Sequence, residues 1–597
     1  PYNPVTLMQD AIAGLARNKA RLPERIVFFG INAMAPMWLD FINALSEHIE
    51  VHFFHLNPCF SYWGDILSEK QAMKAISNWV EGHDDIRLAV GNPLLASLGQ
   101  QGREFMAMLH NYSLVNIDVF EHASAQGGQR DGAQEGSIES GALSVLAQLQ
   151  NDILTLTDAR QAPKNQQDES VIITSCHSAL REVQGLHDWL LHRFNADSTL
   201  TPKDILVMCP QIESYAPYVN AVFTRGWQDI DDNIPPLPCS IADRSSKDAE
   251  PLIAAFIDLL HLPDSRFQVS GLIALLRLPA MQQKFSLTFE DIDKITLWIE
   301  QASIHWGLDQ QHKAGILGVA AGNNSFTWQQ GLSRLMTGFA YGDSEVIHQG
   351  ALLLPSVEGD DGRLLGQLML IIEQLQSFSR ELSTPRDATA WQSFLLQMLD
   401  ELFVLSGEHN FELIHHAIES LVEYCTHAHY RQEIALSVVR DFLNSHFSMP
   451  DPGRQFMVGQ VTFCSMIPMR SIPFKIIAVL GLNDGEYPRQ RQPLGFDLLA
   501  MTPAKLGDRS RRGDDRYLFL EALISARQAL YLSYQGRNIK TNATREASLV
   551  LKELMEYLTL GYGWQESDIR QLPMQPFSGD NYQGTYPGFD EKWLKLG

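Results

Sequence analysis

Val461-Thr462-Phe463-Cys464-Ser465-Met466-Ile467-Pro468-Met469-Arg470-Ser471-Ile472-Pro473-Phe474-Lys475-Ile476-Ile477-Ala478-Val479-Leu480-Gly481-Leu482 is the stretch whose reading decides the fold. Val461–Cys464 is a short apolar run, and Lys475–Leu482 is a longer one that stops at the turn residues Asn483-Asp484-Gly485. Near-continuous apolar runs of this length, bounded by turn signals, mark strands covered on both faces, the usual state of a parallel sheet. A helix follows over Asp515–Ser525 and another strand over Ala529–Tyr534, so the segment alternates strand and helix. In open parallel sheets ligands collect at the carboxyl ends of the strands. That places Ser465–Phe474 and Asn483–Arg489 at the functional edge.

The same rhythm appears upstream. Ile26–Gly30 reads as a strand and Ala35–Ser46 as a helix, with Trp38, Phe41, Ile42 and Leu45 on one face; Glu50–Leu56 is a second strand. Strand, helix, strand in so short a span is a βαβ unit. A helical stretch is expected from Pro93 to Leu109, a flexible loop over Ala125–Gly141, and a domain boundary in the polar Asp158–Glu169. Val171–Ser175, Leu180–Phe194 and Asp204–Cys209 resume as strand, helix and strand. From Pro251 to about Met449 the pattern turns to long helices: Leu364, Leu368, Ile371 and Leu375 recur at helical spacing, as do Ile292, Ile295 and Ile299. The expected class is α/β with a large all-helical insertion. Its parts are residues 1–157, a discontinuous α/β domain of 170–250 and 455–560, the insertion 251–454, and a linker 565–597.

The chain has 597 residues, 45% apolar and 19% charged, an ordinary globular balance that excludes wholesale disorder. No apolar run reaches the ~18 residues of a membrane span, and no secretory signal is visible. The six cysteines are widely spaced, which reads as reduced thiols in a cytoplasmic protein. Net charge is −24, against a non-specific nucleic-acid coat. The distribution is uneven, however. Ten basic residues between Arg489 and Lys540 oppose five acidic ones, a basic island in an acidic chain and a mark of a local anion-facing surface.

Self-contained catalytic signatures are missing from the sequence: there is no phosphate loop of the Gly-x-x-x-x-Gly-Lys type, no His-Glu-x-x-His, no Gly-x-Ser-x-Gly and no Cys-x-x-Cys. Cys425-x-His427-x-His429 would suit a metal only on a strand. Its surroundings read helical, which turns those side chains to different faces, so no metal is assigned. Asp514 and Asp515 are adjacent and diverge on a helix, so they read as N-terminal acids favoured by the helix dipole. The basic island and the residues just before it supply the binding candidates. Arg470, Arg489, Arg509, Arg511 and Arg512 are the candidate phosphate contacts, Tyr487 or Tyr517 either a stacking platform or, as such rings more often are, part of the core, and Asp508 either a local ion-pair partner or a base reader.

These residues resemble the second motor domain of superfamily 1 DNA helicases. The run Val461–Phe474 keeps the frame of the family's fifth motif, but Ser465 stands at its threonine, Ile467 at its histidine, Arg470 at its lysine, Ser471 at its glycine and Pro473 at its glutamate. Asp514-Asp515-Arg516-Tyr517-Leu518 is similar to the sixth motif, and Ser525 takes the place of the arginine that touches the γ-phosphate. Where such an arginine acts it is worth ~10³–10⁵ in rate. The resemblance therefore implies a helicase-like fold without ATP hydrolysis, and no catalytic residue, cofactor or metal in this chain.

A narrower resemblance is to the RecC family, the gamma subunits of exodeoxyribonuclease V (RecBCD). It rests on Tyr62-Trp63-Gly64-Asp65-Ile66, Gly91-Asn92-Pro93-Leu94-Leu95-Ala96-Ser97, Pro468–Phe474, Gly507-Asp508-Arg509-Ser510-Arg511-Arg512 and Tyr517–Arg527. The family is nearly twice as long, so the N-terminal part of the first helicase-like domain and a C-terminal nuclease-like domain are expected to be missing. The resemblance implies a non-catalytic DNA-binding subunit that assembles with RecB-type and RecD-type partners, which use ATP and Mg2+. It also implies double-stranded ends and single strands as ligands, channelling of the separated strands, and a part in Chi recognition through Asp508 and Arg511. Two alternatives stand beside it: an active superfamily 1 helicase truncated before its Walker motif, and an AddB-type subunit.

Overall fold

The computed structural model describes residues 3–67, 73, 91–112, 114–117, 119–120, 143–164, 168–224, 237–242, 250–320, 322–342, 346–348, 350–404, 409–448, 459–467, 472–490, 492–503, 505–583, 587–589 and 594–595. The expected loop Ala125–Gly141 and the candidate Arg470 lie outside them. Two units are present: Pro1–Asp243 with Arg454–Gly597, and Arg244–Gly453. The class is α/β with parallel sheets and many helices. Among the described residues no helix is long and apolar enough to cross a membrane.

After a helix at Pro4–Gly14, the first unit carries the βαβ motif: β1 (Arg25–Phe29), α1 (Pro36–Ser46) and β2 (Glu50–Phe54), the strands parallel with Arg25 opposite Glu50 and Phe29 opposite Phe54. Phe28 stacks on Phe53 at 4.7 Å across this pair. The helical stretch after it is two helices, α2 (Pro93–Leu98) and α3 (Gln100–Leu109). Gly99 stands between them, where a side chain would meet the Leu95 carbonyl at 2.4 Å and the Trp63 ring at 2.9 Å. Helix α4 (Val145–Leu154) leads into the main sheet.

That sheet contains β3 (Val171–Cys176), β4 (Ile205–Met208), β5 (Cys239–Ile241), β6 (Val461–Cys464), β7 (Phe474–Val479), β8 (Ala526–Gln535) and β9 (Arg570–Gln571). Its order is β9-β3-β8-β7-β4-β6-β5, with every pairing parallel. Helices α5 (Ala179–Ala196), α6 (Ile212–Val219), α7 (Arg511–Ser525) and α8 (Leu549–Tyr562) cover it. Alternate residues of one strand feed two cores. Leu206, Met208, Ile477, Val479, Leu530 and Leu532 pack with α4, α7 and α8, whereas Val207, Ile476, Ala478 and Tyr531 pack with α5 and α6. Both faces are thus dry, and the apolar runs read as continuous for that reason.

Two polar segments prove well integrated. In Asp158–Glu169, Ala159 is buried, its N–H donates to the Tyr557 hydroxyl, and Lys164 bridges to Asp152 at 2.9 Å. Past Gln565 the chain adds β9 to the sheet edge, and the Arg181 guanidinium donates to the Pro573 carbonyl and to Asn581. The segment read as a linker is therefore tied to α5.

The second unit is helical. Leu364, Leu368, Ile371 and Leu375 are buried on the helix Asp361–Leu382, and Ile292, Ile295 and Ile299 on Phe289–Gln301. Trp328 and Trp391 are buried there with their indole N–H groups donated to the carbonyls of Phe267 and Ile434. The helix His409–His427 carries Cys425 and His427, while His429 lies past its end with a left-handed φ of 53°. The three therefore share no face.

Candidate nucleic-acid interface

All strands of the main sheet point one way, so the segments following β3, β4, β6, β7 and β8 lie at one edge. The organising group there is a residue the sequence reading missed. Glu182, on the first turn of α5, is fully buried and accepts hydrogen bonds from the Tyr215 hydroxyl at 2.8 Å, the Gly481 N–H at 2.9 Å and the Ser533 hydroxyl. Burial pushes its carboxyl pKa up, and the three donors pull the other way. Its signal in the sequence is faint, because a glutamate in a first helical turn ordinarily reads as a dipole-compensating surface acid.

The loop after β7 is folded back on the sheet. Asn483 is buried; its side chain accepts from the Gln535 N–H at 2.8 Å and donates to Glu486 at 2.9 Å. Tyr487 is not a stacking platform. Its ring is 1% exposed, its hydroxyl donates to the Asp515 carbonyl, and burial holds its phenol well above the ordinary range. Tyr517 is equally buried: a β-carbon at Gly102 would stand 2.4 Å from its ring. Of the two readings, platform or core, both rings take the core one, packed beneath α7.

Arg489 is also placed differently from expectation. Its guanidinium forks onto Asp515, at 2.6 Å through Nη2 and 3.0 Å through Nε, and its N–H donates to the same carboxylate at 2.7 Å. The Asp515 side chain is fully buried and that of Arg489 only 18% exposed. The arginine neutralises a buried carboxylate and is not free for phosphate. Arg516 is also paired, donating to the partly exposed Glu553 and to the Ser97 hydroxyl at 2.7 Å. Asp515 is thus an ion-pair anchor, whereas Asp514 stays in the first turn of α7 and pairs with Arg509 at 3.0 Å.

One exposed part of the basic island is the approach to α7. Asp508 closes a tight turn: its carboxylate accepts from the Lys505 N–H at 2.7 Å and its own N–H donates to the Lys505 carbonyl at 3.0 Å. Of its two candidate roles, the local ion pair is not made with Arg509, which reaches Asp514 instead. Gly507, at φ 93°, packs close to Met108 and Pro36, a position where a side chain would be strained. Ser510 caps α7 by accepting from the Gly513 N–H at 2.9 Å, so the helix starts at Arg511, ahead of the expected Asp515. Arg509, Arg511 and Arg512 are exposed at this helix start. Cations beside a helix N-terminus, whose orphan N–H groups also favour anions, make a surface suited to phosphate.

The remaining motif positions scatter. Ser465 is half-buried after β6 and Ile467 is exposed. Ser525 is 8% exposed at the end of α7, where the Gln150 amide donates to the Leu523 and Ala526 carbonyls. A residue there faces packed protein.

Two family models match. One, for the RecC N-terminal domain, covers residues 2–156; the other, for the RecBCD enzyme subunit RecC fourth domain, covers 249–451. The RecBCD enzyme subunit RecC of Haemophilus influenzae is 34% identical over 625 residues, spanning 99% of this chain and 53% of that protein. The Escherichia coli K12 protein of the same name is 34% identical over 626 residues, 96% of this chain and 54% of its own length. The Mycolicibacterium smegmatis one is 29% identical over 574 residues, 94% and 50%. The chain spans about half the length of the curated relatives it matches. With two RecC domain models on separate stretches and RecC proteins aligned along nearly all of it, the chain belongs to the RecC family.

Proposed function

We propose that this chain is the DNA-binding, non-catalytic part of a cytoplasmic RecBCD-type helicase-nuclease, built on two helicase-like α/β domains with a helical insertion. It assembles with RecB-type and RecD-type subunits, guides separated strands at broken DNA ends and takes part in Chi recognition during recombinational repair. ATP and Mg2+ are used by the partners. The observation that carries this reading is the alignment of 96–99% of this chain with about half the length of RecBCD subunit RecC proteins. The sheet edge supports it. Where an open α/β sheet would take its ligand, Glu182, Tyr215, Gly481 and Ser533 satisfy one another, and Arg489 and Asp515 do the same. The alternative of a working ATPase would need that edge open and an arginine in place of the buried Ser525.

Asp508 is the base-reading candidate. One carboxylate oxygen closes the turn with Lys505, which fixes the direction of the other, and a carboxylate accepts from exocyclic amines of bases. In the reconstituted full-length complex, Asp508→Ala is expected to leave unwinding and end binding nearly intact and to alter Chi-dependent cleavage. Joint loss of unwinding, assembly and thermal stability with unchanged Chi preference would assign Asp508 a structural role only. DNA-stimulated ATP turnover by the purified full-length chain alone would refute the non-catalytic reading.

A further inference from the structure

The ten residues that follow β8, Gly536-Arg537-Asn538-Ile539-Lys540-Thr541-Asn542-Ala543-Thr544-Arg545, carry three basic side chains and no acid, in a chain of net charge −24. The fold makes them a braced projection. Gly536 is pinned at the root, its N–H donating to the Cys176 carbonyl at 2.9 Å. Arg537 and Thr544 form an antiparallel bridge, and the Asn538 N–H donates to the Ala543 carbonyl at 2.8 Å. At the tip the Asn538 side chain accepts from the Lys540 and Thr541 N–H groups, at 2.9 and 3.2 Å, and Asn542 turns the chain back with a φ of 55°. On the return, Ala547 bridges to the buried Asn483. Arg537, Ile539, Lys540 and Arg545 are all exposed. Arg545 lies 3.9 Å from Glu486, whereas among the described residues no carboxylate pairs with Arg537 or Lys540.

We propose that this loop is a second contact for single-stranded DNA, with Arg537 and Lys540 on phosphates and Ile539 against a sugar or base. The proposal rests on the DNA-binding reading above and adds a surface to it. The topology places that surface. Helix α7 ends at Ser525 and β8 starts at Ala526, so α7 runs back along the sheet, and its start lies at the same carboxyl edge as the loop after β8. The exposed Arg511 and Arg512 and the exposed Arg537 and Lys540 therefore belong to one edge. Arginine, lysine, asparagine and threonine are the side chains that take phosphate and sugar oxygens. A protein interface is built around an apolar core, and the loop exposes one large apolar side chain, Ile539, at 69%. The internal bonds of the loop hold its cations out before any ligand arrives, which lowers the ordering cost of binding.

The test uses the full-length chain assembled with its partner subunits, and a fluorescent duplex end carrying single-stranded tails as the probe. Arg537→Gln with Lys540→Gln is expected to lower the slope of log affinity against log salt by about 1.4, two phosphates at ~0.7 each, a roughly 25-fold loss at 0.1 M relative to 1 M salt. An unchanged slope would overturn the proposal. The charge-keeping pair Arg537→Lys with Lys540→Arg is expected to hold the parent slope. An equal drop there would also overturn it, because the shape of the loop and not its charge would then be at work. With a photoreactive benzoylphenylalanine in place of Ile539, irradiation is expected to give an adduct to a single-stranded tail. An adduct to a partner subunit would make the loop a protein contact, no adduct would make it a solvated turn, and either result would overturn the proposal. Absence of salt-dependent binding by the unaltered complex would instead refute the DNA-binding reading itself.

Discussion

Replacing Arg489 by methionine separates a structural role from a DNA-contact role, and the structure sets the size of the effect. The Asp515 carboxylate is fully buried, and its partners are the Arg489 guanidinium, forked at 2.6 and 3.0 Å, and the Arg489 N–H. Arg489→Met removes the charge partner but keeps the backbone donor and the aliphatic stem. An uncompensated buried carboxylate remains, at a cost of ~3–5 kcal/mol. Replacing both members, Arg489→Met with Asp515→Leu, removes the charge as well and should recover most of that loss, to within ~1–2 kcal/mol of the parent. The assay is urea unfolding of the full chain followed by fluorescence, read at the transition of the first unit, with single-stranded DNA binding in parallel. A coupling of several kcal/mol in the double-mutant cycle is expected. Should Arg489→Met leave stability within ~0.5 kcal/mol while DNA affinity falls, the ion-pair reasoning is wrong and Arg489 serves phosphate.

Reversing Arg509, Arg511 and Arg512 to glutamate in the full-length complex is expected to flatten the salt dependence of single-strand binding by ~0.7 for each phosphate no longer neutralised; an unchanged slope would remove these arginines from the DNA path. Gly102→Ala puts a methyl 2.4 Å from the Tyr517 ring, which is itself buried and has no room to yield, so a loss of ~1–3 kcal/mol is expected in the same unfolding assay. A neutral result would mean that α3 and α7 are not in tight contact. Burial pushes His187 down to about 4, so its folded form prefers the neutral ring. The sign follows: this contribution is fully present above about 6.5 and is lost as pH falls toward 4. A His187→Phe variant should therefore lose less stability than the parent between about pH 7 and 4.5, by a few kcal/mol at most. Asp188, raised to about 6 by burial, contributes in the opposite sense, and the difference between variant and parent isolates the histidine.

The strands were legible because a parallel sheet demands apolar residues on both faces. Ile476, Ile477, Ala478 and Val479 alternate between two dry cores, and such a run has few other homes. Helix ends were less so. Asp514 and Asp515 suggested a start at Asp515, whereas Ser510, three residues before Gly513, caps an earlier first turn. The site was legible in kind and misassigned in part. Arg489 and Tyr487 sit in a segment rich in charge and turn residues, and nothing local tells an arginine facing solvent from one facing a buried carboxylate. The partner, Asp515, is 26 residues away, and only the fold brings the two together. Glu182 was hidden for the same reason, since its donors Tyr215, Gly481 and Ser533 come from three other segments.

Around the start of α7 the basic residues thus divide into two populations with different physics. Arg489 and Arg516 are partly buried, each bonded to an acid at 2.6 Å, and they hold α7 against the loop after β7, against α2 and against α8. Their charge is spent inside the unit, so a count of net charge along the segment overstates the field it presents. Arg511, Arg512 and Lys505 are exposed, and Arg509 shares its charge with Asp514 through a solvent-facing pair worth little. Of these six, only the second group is available to attract an anion. The first supplies what such attraction also needs: cations mounted at the start of a helix whose register is fixed by buried ion pairs, so that binding a strand does not first have to order the surface that receives it.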